Sequence, residues 1–124
     1  MIVCDASFLI AILDQSDAHH PRAVQLAASH QEEPMAASAI TTAEVLVAPG
    51  REERLQMLTD VLEIDTFGVG ADAAVRLAEL RARTSLKMPD CCVLQLAESV
   101  DGQVATMDRR LARTARDLGL APLS

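Results

Sequence analysis

Aromatic side chains are almost missing from this sequence: two Phe, no Trp and no Tyr among 124 residues. A core must then be built from Ala, Leu and Val, whose small side chains let helices lie close against a sheet. No apolar run approaches the roughly 18 residues that a membrane span needs. The opening Met1-Ile2-Val3-Cys4-Asp5 has no basic segment and places an acid where a signal peptide is apolar, so a cytoplasmic protein without membrane contact is expected. Low-complexity tracts are lacking and half of the residues are hydrophobic, which excludes disorder. The three cysteines form neither CxxC nor a Cys/His ligand spacing, and Cys91 and Cys92 are adjacent. That excludes a disulfide framework or structural zinc and leaves small buried thiols in a reducing compartment. Ser7 and Ser38 have no GxSxG context, and Gly68 and Gly70 do not open a phosphate-cradling loop, so two common hydrolase designs are excluded. The histidines His19, His20 and His30 fall on a polar loop and helix, which reads as surface rather than as acid–base machinery.

Basic residues are also scarce, 11 against 18 acidic, for a formal net charge of -7. A general nucleic-acid coat protein is excluded on that balance, because its affinity would come from neutralising phosphates. A single cleft can still be locally basic. All but one of the cations are arginine, and four of them cluster at Arg109, Arg110, Arg113 and Arg116.

The length corresponds to one domain, residues 1–124, burying roughly two-thirds of the surface of the unfolded chain. Strand and helix patterns alternate along it. Residues 1–4 read as a buried strand and 6–13 as a mostly covered helix. A turn at 14–17 leads to a helix beginning at Asp17 or Ala18, with Pro21 in its first turn. Residues 35–38 form a strand, and a short helix at 43–47 is stopped by Pro49-Gly50. Periodicity predicts a helix over 51–62, a strand around 63–65 and a helix over 72–83. Further helices are predicted at 90–99 and from Asp108 to near Gly119, separated by a strand at 103–106. Residues 120–122 read as a terminal edge strand, where Pro is tolerated. The alternation predicts an α/β sandwich, a largely parallel sheet of four or five strands with helices on both faces.

Four acids stand among apolar neighbours: Asp5, Glu44, Asp90 and Asp108. A carboxylate deprived of water must be protonated, paired or bound to a cation. In an open parallel sheet the strand C-terminal ends and the following helix starts converge on one crevice, and Asp5 and Asp108 both occupy such junctions. Asp5, Asp90 and Asp108 are each also placed to cap a helix, and Glu44 to be the polar residue of a short one. Taken as a set, clustered carboxylates without basic partners repel one another unless a cation joins them, and oxygen-only ligands select Mg²⁺ or Mn²⁺ over zinc.

Asp5 with Ser7 two places on, Thr42-Ala43-Glu44, Pro89-Asp90 opening a helix that runs to Leu96-Ala97, and Thr106-Met107-Asp108 together resemble the acidic pattern of the PIN-domain ribonucleases. The size resembles the VapC toxins of bacterial toxin–antitoxin pairs. This resemblance covers the chain in order and implies a PIN-like three-layer sandwich, Mg²⁺- or Mn²⁺-dependent endonucleolytic cleavage of RNA, a homodimer, and a cognate VapB-type antitoxin occupying the groove. It makes Asp5, Glu44, Asp90 and Asp108 the catalytic and metal-binding acids, with Ser7 and Thr106 orienting them. Leu111 stands where an aromatic is frequent, and Arg109, Arg110 or Leu111 where a further acid is sometimes found, leaving open whether one ion or two act. The arginine cluster reads as a solvated helix face or as phosphate positioning, through Arg109 and Arg113. A phospho-acceptor receiver domain is disfavoured, because Lys87, the one lysine, precedes a helix instead of following the last strand. The other alternative is a catalytically silent PIN-like interaction module.

Overall fold

The computed structural model describes all residues 1–124. Three short apolar runs, Ile2–Cys4 (β1), Met35–Ser38 (β2) and Gln103–Ala105 (β4), are almost wholly buried, while Asp65–Phe67 (β3) is exposed along its length. They form one sheet in the order β3-β2-β1-β4, every pair parallel. Parallel neighbours need long crossovers, and the helices supply them: Ala6–Leu13 (α1), His20–Ser29 (α2), Ala39–Leu46 (α3), Arg51–Gln56 (α4), Ala74–Thr84 (α5), Met88–Val100 (α6) and Arg109–Asp117 (α7).

Alternation along the strands divides the core in two. Ile2, Cys4, Met35, Ala37 and Ala105 join Phe8, Leu9, Ala23 and Leu26 of α1 and α2 on one face. Val3 and Val104 join Leu77, Leu80, Val93, Leu94, Leu111 and Ala115 of α5, α6 and α7 on the other. With successive side chains pointing to opposite faces, a sheet this short still anchors two helical layers. The predicted three-layer α/β sandwich is the architecture found.

Several element boundaries differ from expectation. The helix predicted over 51–62 is α-helical only to Gln56 and continues as a π-helical turn, Met57–Val61. The strand expected at 63–65 begins two residues later, because Glu63 takes a left-handed conformation (φ 51°) and Ile64 donates its N–H to the Leu58 carbonyl instead of to a strand. A 3₁₀ turn, Ala71–Ala73, precedes α5. The second helix starts at His20 and not at Asp17 or Ala18, since Asp17 accepts the His19 N–H in a turn of its own. The helix expected at 43–47 starts four residues sooner, capped by Ser38, which accepts the Ile40 N–H. Asp90 does not cap α6: Lys87 occupies that position and Asp90 lies within the first turn after Pro89. The terminal edge strand reduces to one bridge between Val104 and Pro122, as a residue without an N–H allows.

Gly102 sets the junction of β1 and β4. A Cβ there would meet the Met1 carbonyl oxygen at 2.7 Å, so only glycine lets the two strand starts approach this closely. Arg76 and Glu98 tie α5 to α6 through two hydrogen bonds, Nε to Oε1 at 2.9 Å and Nη2 to Oε2 at 2.6 Å. The cysteines are free and buried, and burial pushes the Cys4 thiol far above its ordinary range. No helix is long and apolar enough to cross a membrane.

The start of α3 at Ala39 also brings Thr41 into the helix, fully buried and with its hydroxyl unpaired. A buried hydroxyl left without a partner forfeits its hydration. Thr41→Val, nearly the same shape without the polar atom, is therefore expected to raise stability by about 1 kcal/mol, read as a higher denaturation midpoint with unchanged denaturant slope.

Candidate active site

β1 ends at Cys4, and Asp5 turns the chain into α1, its Oδ1 accepting the Phe8 N–H at 2.8 Å as an N-cap. The Ser7 hydroxyl donates to the same carboxylate, 2.8 Å from Oδ1 and 2.9 Å from Oδ2. Thr106, just beyond β4, donates its hydroxyl to Oδ2. Both hydroxyls are in turn held by the backbone of the next loop. Met107 N–H donates to Ser7 Oγ at 2.9 Å and Asp108 N–H to Thr106 Oγ1 at 3.0 Å. The ends of β1 and β4 are thus stitched together through Asp5, which is only 4 % exposed.

These bonds favour the charged carboxylate, yet burial outweighs them and lifts the Asp5 pKa to about 6, with the negative charge of Asp90 adding to the rise. Asp5 is consequently a carboxylate that water does not solvate and no cation pairs. The chain's two ion pairs within 4 Å both belong to Arg76, with Glu79 and Glu98.

The other three acids come from three helices. Asp108 caps α7, its Oδ1 accepting from Arg110 N–H at 2.8 Å and Leu111 N–H at 3.2 Å, and it is exposed. Asp90 is half-buried. Burial raises its pKa, Asp108 adds to the rise, and Lys87 and Arg110 oppose it. Glu44, on the exposed side of α3, is raised by partial desolvation and by Asp90. Asp90 is therefore the electrostatic hub, coupled to Asp5, Glu44 and Asp108 alike. In the present rotamers no three His, Cys, Asp or Glu side chains stand close enough to clasp an ion.

Neither cleft of the molecule contains the acids. One, of about 400 Å³, lies where β2 begins, against Gln31, Glu33, Met35 and Leu62. The other, of about 270 Å³, lies between the end of α5 and α7. Glu44 and Asp108 are exposed and Asp90 is half-buried outside either cleft, whereas Asp5 is buried.

Arg109, Arg110, Arg113 and Arg116 are all exposed on α7. Among them it is Arg110, and not Arg109 or Arg113, whose charge acts on Asp90. The sequence reading favours Arg109 and Arg113 and passes over Arg110, which the α5–α6 connection sets apart, since Arg110 Nη2 lies 3.4 Å from the Ser85 carbonyl. No histidine joins the acids: His20 and His30 bond through Nδ1 to the carbonyls of Ala11 and Leu26.

A sequence model of the family described as PIN domain matches residues 2–117. Among solved structures, VapC20 of Mycobacterium tuberculosis, a Sarcin-Ricin loop cleaving toxin, superposes with a TM-score of 0.76 at 19% identity, covering 92% of this chain and 95% of that one. A toxin–antitoxin complex from Klebsiella pneumoniae gives 0.70 at 24%, covering 90% of each chain. VapBC2 from Rickettsia felis, bound to a DNA fragment from its promoter, gives 0.70 at 15%, covering 98% of this chain and 97% of that one. No curated protein matches.

Proposed function

Because this chain belongs to the PIN-domain family, we propose that it is a divalent-metal-dependent endoribonuclease and the toxin of a VapBC-type toxin–antitoxin pair. The observation that carries the reading is the buried, unpaired Asp5, fixed between the ends of β1 and β4 beside the electrostatic hub Asp90. A fold maintained around an uncompensated charge is best explained by a cation that compensates it. Structural neighbours that are toxins or toxin–antitoxin complexes support the biological assignment.

The donor set fits Mg²⁺ or Mn²⁺: oxygen only, carboxylates only, with no thiol or imidazole among them. The spread of the four acids fits Mg²⁺ in a further respect, since that ion commonly keeps several waters and takes only one or two carboxylates directly. In this reading Asp5 and Asp90 ligate directly, and Glu44 and Asp108 ligate through water or orient the nucleophile. Ser7 and Thr106 keep the Asp5 carboxylate in one orientation, and Arg109 and Arg113 position phosphates. The chemistry supplied by a bound divalent ion is acidification of the attacking water and neutralisation of charge developing on the phosphodiester.

The partners follow from the same reading: an RNA substrate, a separate VapB-type antitoxin presenting a basic group to the acids, and a second copy in a homodimer, all in the cytoplasm. A catalytically silent PIN-like module is the alternative, favoured by the absence of three acids at ligating separation. Incubation of the protein with total RNA decides between them. Cleavage is expected with Mg²⁺ or Mn²⁺, its loss with a chelator and its return on metal readdition. Intact RNA under all conditions leaves only the silent module.

A further inference from the structure

The charges of this chain are sorted by region. Residues 1–73 carry twelve acidic and three basic side chains, residues 74–124 six and eight. Several arginines are committed within the fold: Arg76 to Glu98 and Glu79, and Arg51 and Arg54 to the carbonyls of Leu46 and Val45 at the end of α3. The other eight cations are exposed with no carboxylate within 4 Å, and five of them are Arg81 and Arg83 in the last turn of α5, Lys87 before α6, and Arg110 and Arg113 on α7.

Two observations link their elements across α5, α6 and α7. Arg110 reaches across to the Ser85 carbonyl in the connection that carries Lys87, and Arg83 and Thr84 share a cleft with Thr114 and Asp117 of α7. The near end of the strip meets the candidate site, where Lys87 and Arg110 act on Asp90. Its far end is marked by Asp117. We propose that this strip, from Lys87 and Arg110 past Arg81, Arg83 and Arg113, is the track of the RNA sugar–phosphate backbone as it leaves the four acids. The inference rests on the ribonuclease reading and adds to it a direction: the strand runs over the α5–α7 side, away from the acidic half.

RNA fits the strip better than an acidic protein segment does. Four of the five cations are arginines, whose planar fork matches phosphate oxygens, and the strip begins at acids suited to acting on a phosphodiester. In an otherwise acidic protein it is also the one region where phosphate contacts release counterions instead of adding repulsion.

The test is binding of a fluorescent single-stranded oligouridylate in chelator, so that cleavage and binding are separated. The double variant Lys87→Gln/Arg110→Gln is expected to bind roughly 20-fold more weakly near 0.1 M salt, the loss of two phosphate contacts at ~0.7 counterions each, with a correspondingly shallower salt slope. Arg22→Gln, at an exposed position of α2, is expected to bind as wild type does. Wild-type affinity and slope in the double variant overturn the track, as does an equal loss in Arg22→Gln or a wild-type protein that does not bind; an acidic partner is then the better occupant. Cleavage with Mg²⁺ is scored separately. Wild-type cleavage with unaffected binding in the double variant rejects the track alone, and weakened binding without any wild-type cleavage rejects the ribonuclease reading alone.

Discussion

Asp5→Asn is expected to remove metal-dependent RNA cleavage, by at least about a hundredfold, while making the ion-free fold more stable at neutral pH. The two effects have one origin. The folded carboxyl has a pKa of about 6 against an ordinary value of 3.8, so the native state binds the proton more tightly than the unfolded chain does. Wild-type stability from this group is fully present below about pH 4 and is lost as the pH rises to 6; above that the buried charge costs roughly 3 kcal/mol at most. Asparagine keeps an acceptor for the Phe8 N–H and carries no charge, and its amide N–H takes the place of Oδ2, so the Thr106 hydroxyl must turn from donor to acceptor at a cost smaller than that of the buried charge. Its advantage over wild type should therefore be absent near pH 4, grow toward pH 6 and level off beyond it. Mg²⁺ should raise the wild-type melting temperature above pH 6 and leave the variant unmoved. Thermal denaturation across that range with and without the ion reads both effects, and a variant less stable than wild type at pH 7 contradicts the account.

Asp90→Asn tests the hub. Its charge raises the proton affinity of both Asp5 and Glu44, so neutralising it should lower both titration midpoints, followed by carboxyl-carbon NMR. Cleavage should fall by a factor comparable to that of Asp5→Asn, since both are assigned as direct ligands. Asp108 acts on Asp90 and not on the other two, so Asp108→Asn should shift the Asp90 midpoint and leave that of Glu44 in place. Unmoved midpoints in Asp90→Asn would mean that the four acids are electrostatically separate.

Much of this arrangement is written locally. Asp5 and Asp108 were legible because each closes an apolar strand and opens a helix, and both requirements concern neighbours within three residues. The alternation that sends Ile2 and Cys4 to one core and Val3 to the other is equally local. What escaped the sequence depends on distant parts. The β3 register follows from the left-handed turn at Glu63 and the π-helical turn before it, neither of which has a periodicity signal. Asp90 looked like a cap because Pro89 precedes it, but proline fits the first turn itself, which moved the cap back to Lys87. Arg110 could not be singled out from Arg109 and Arg113 without the carbonyl of Ser85, which is supplied by another helix's end.

The two flanks of the sheet are finished differently. Pro122 sits against β4, whereas β3 leaves its outer backbone bare, with Phe67 and Val69 uncovered beside it. The three-residue length of β3 and the carboxylate of Asp65 are what discourage further strands from adding there, so concentrated preparations of this chain should stay free of ribbon-like stacks, and Asp65→Val is the change expected to invite them.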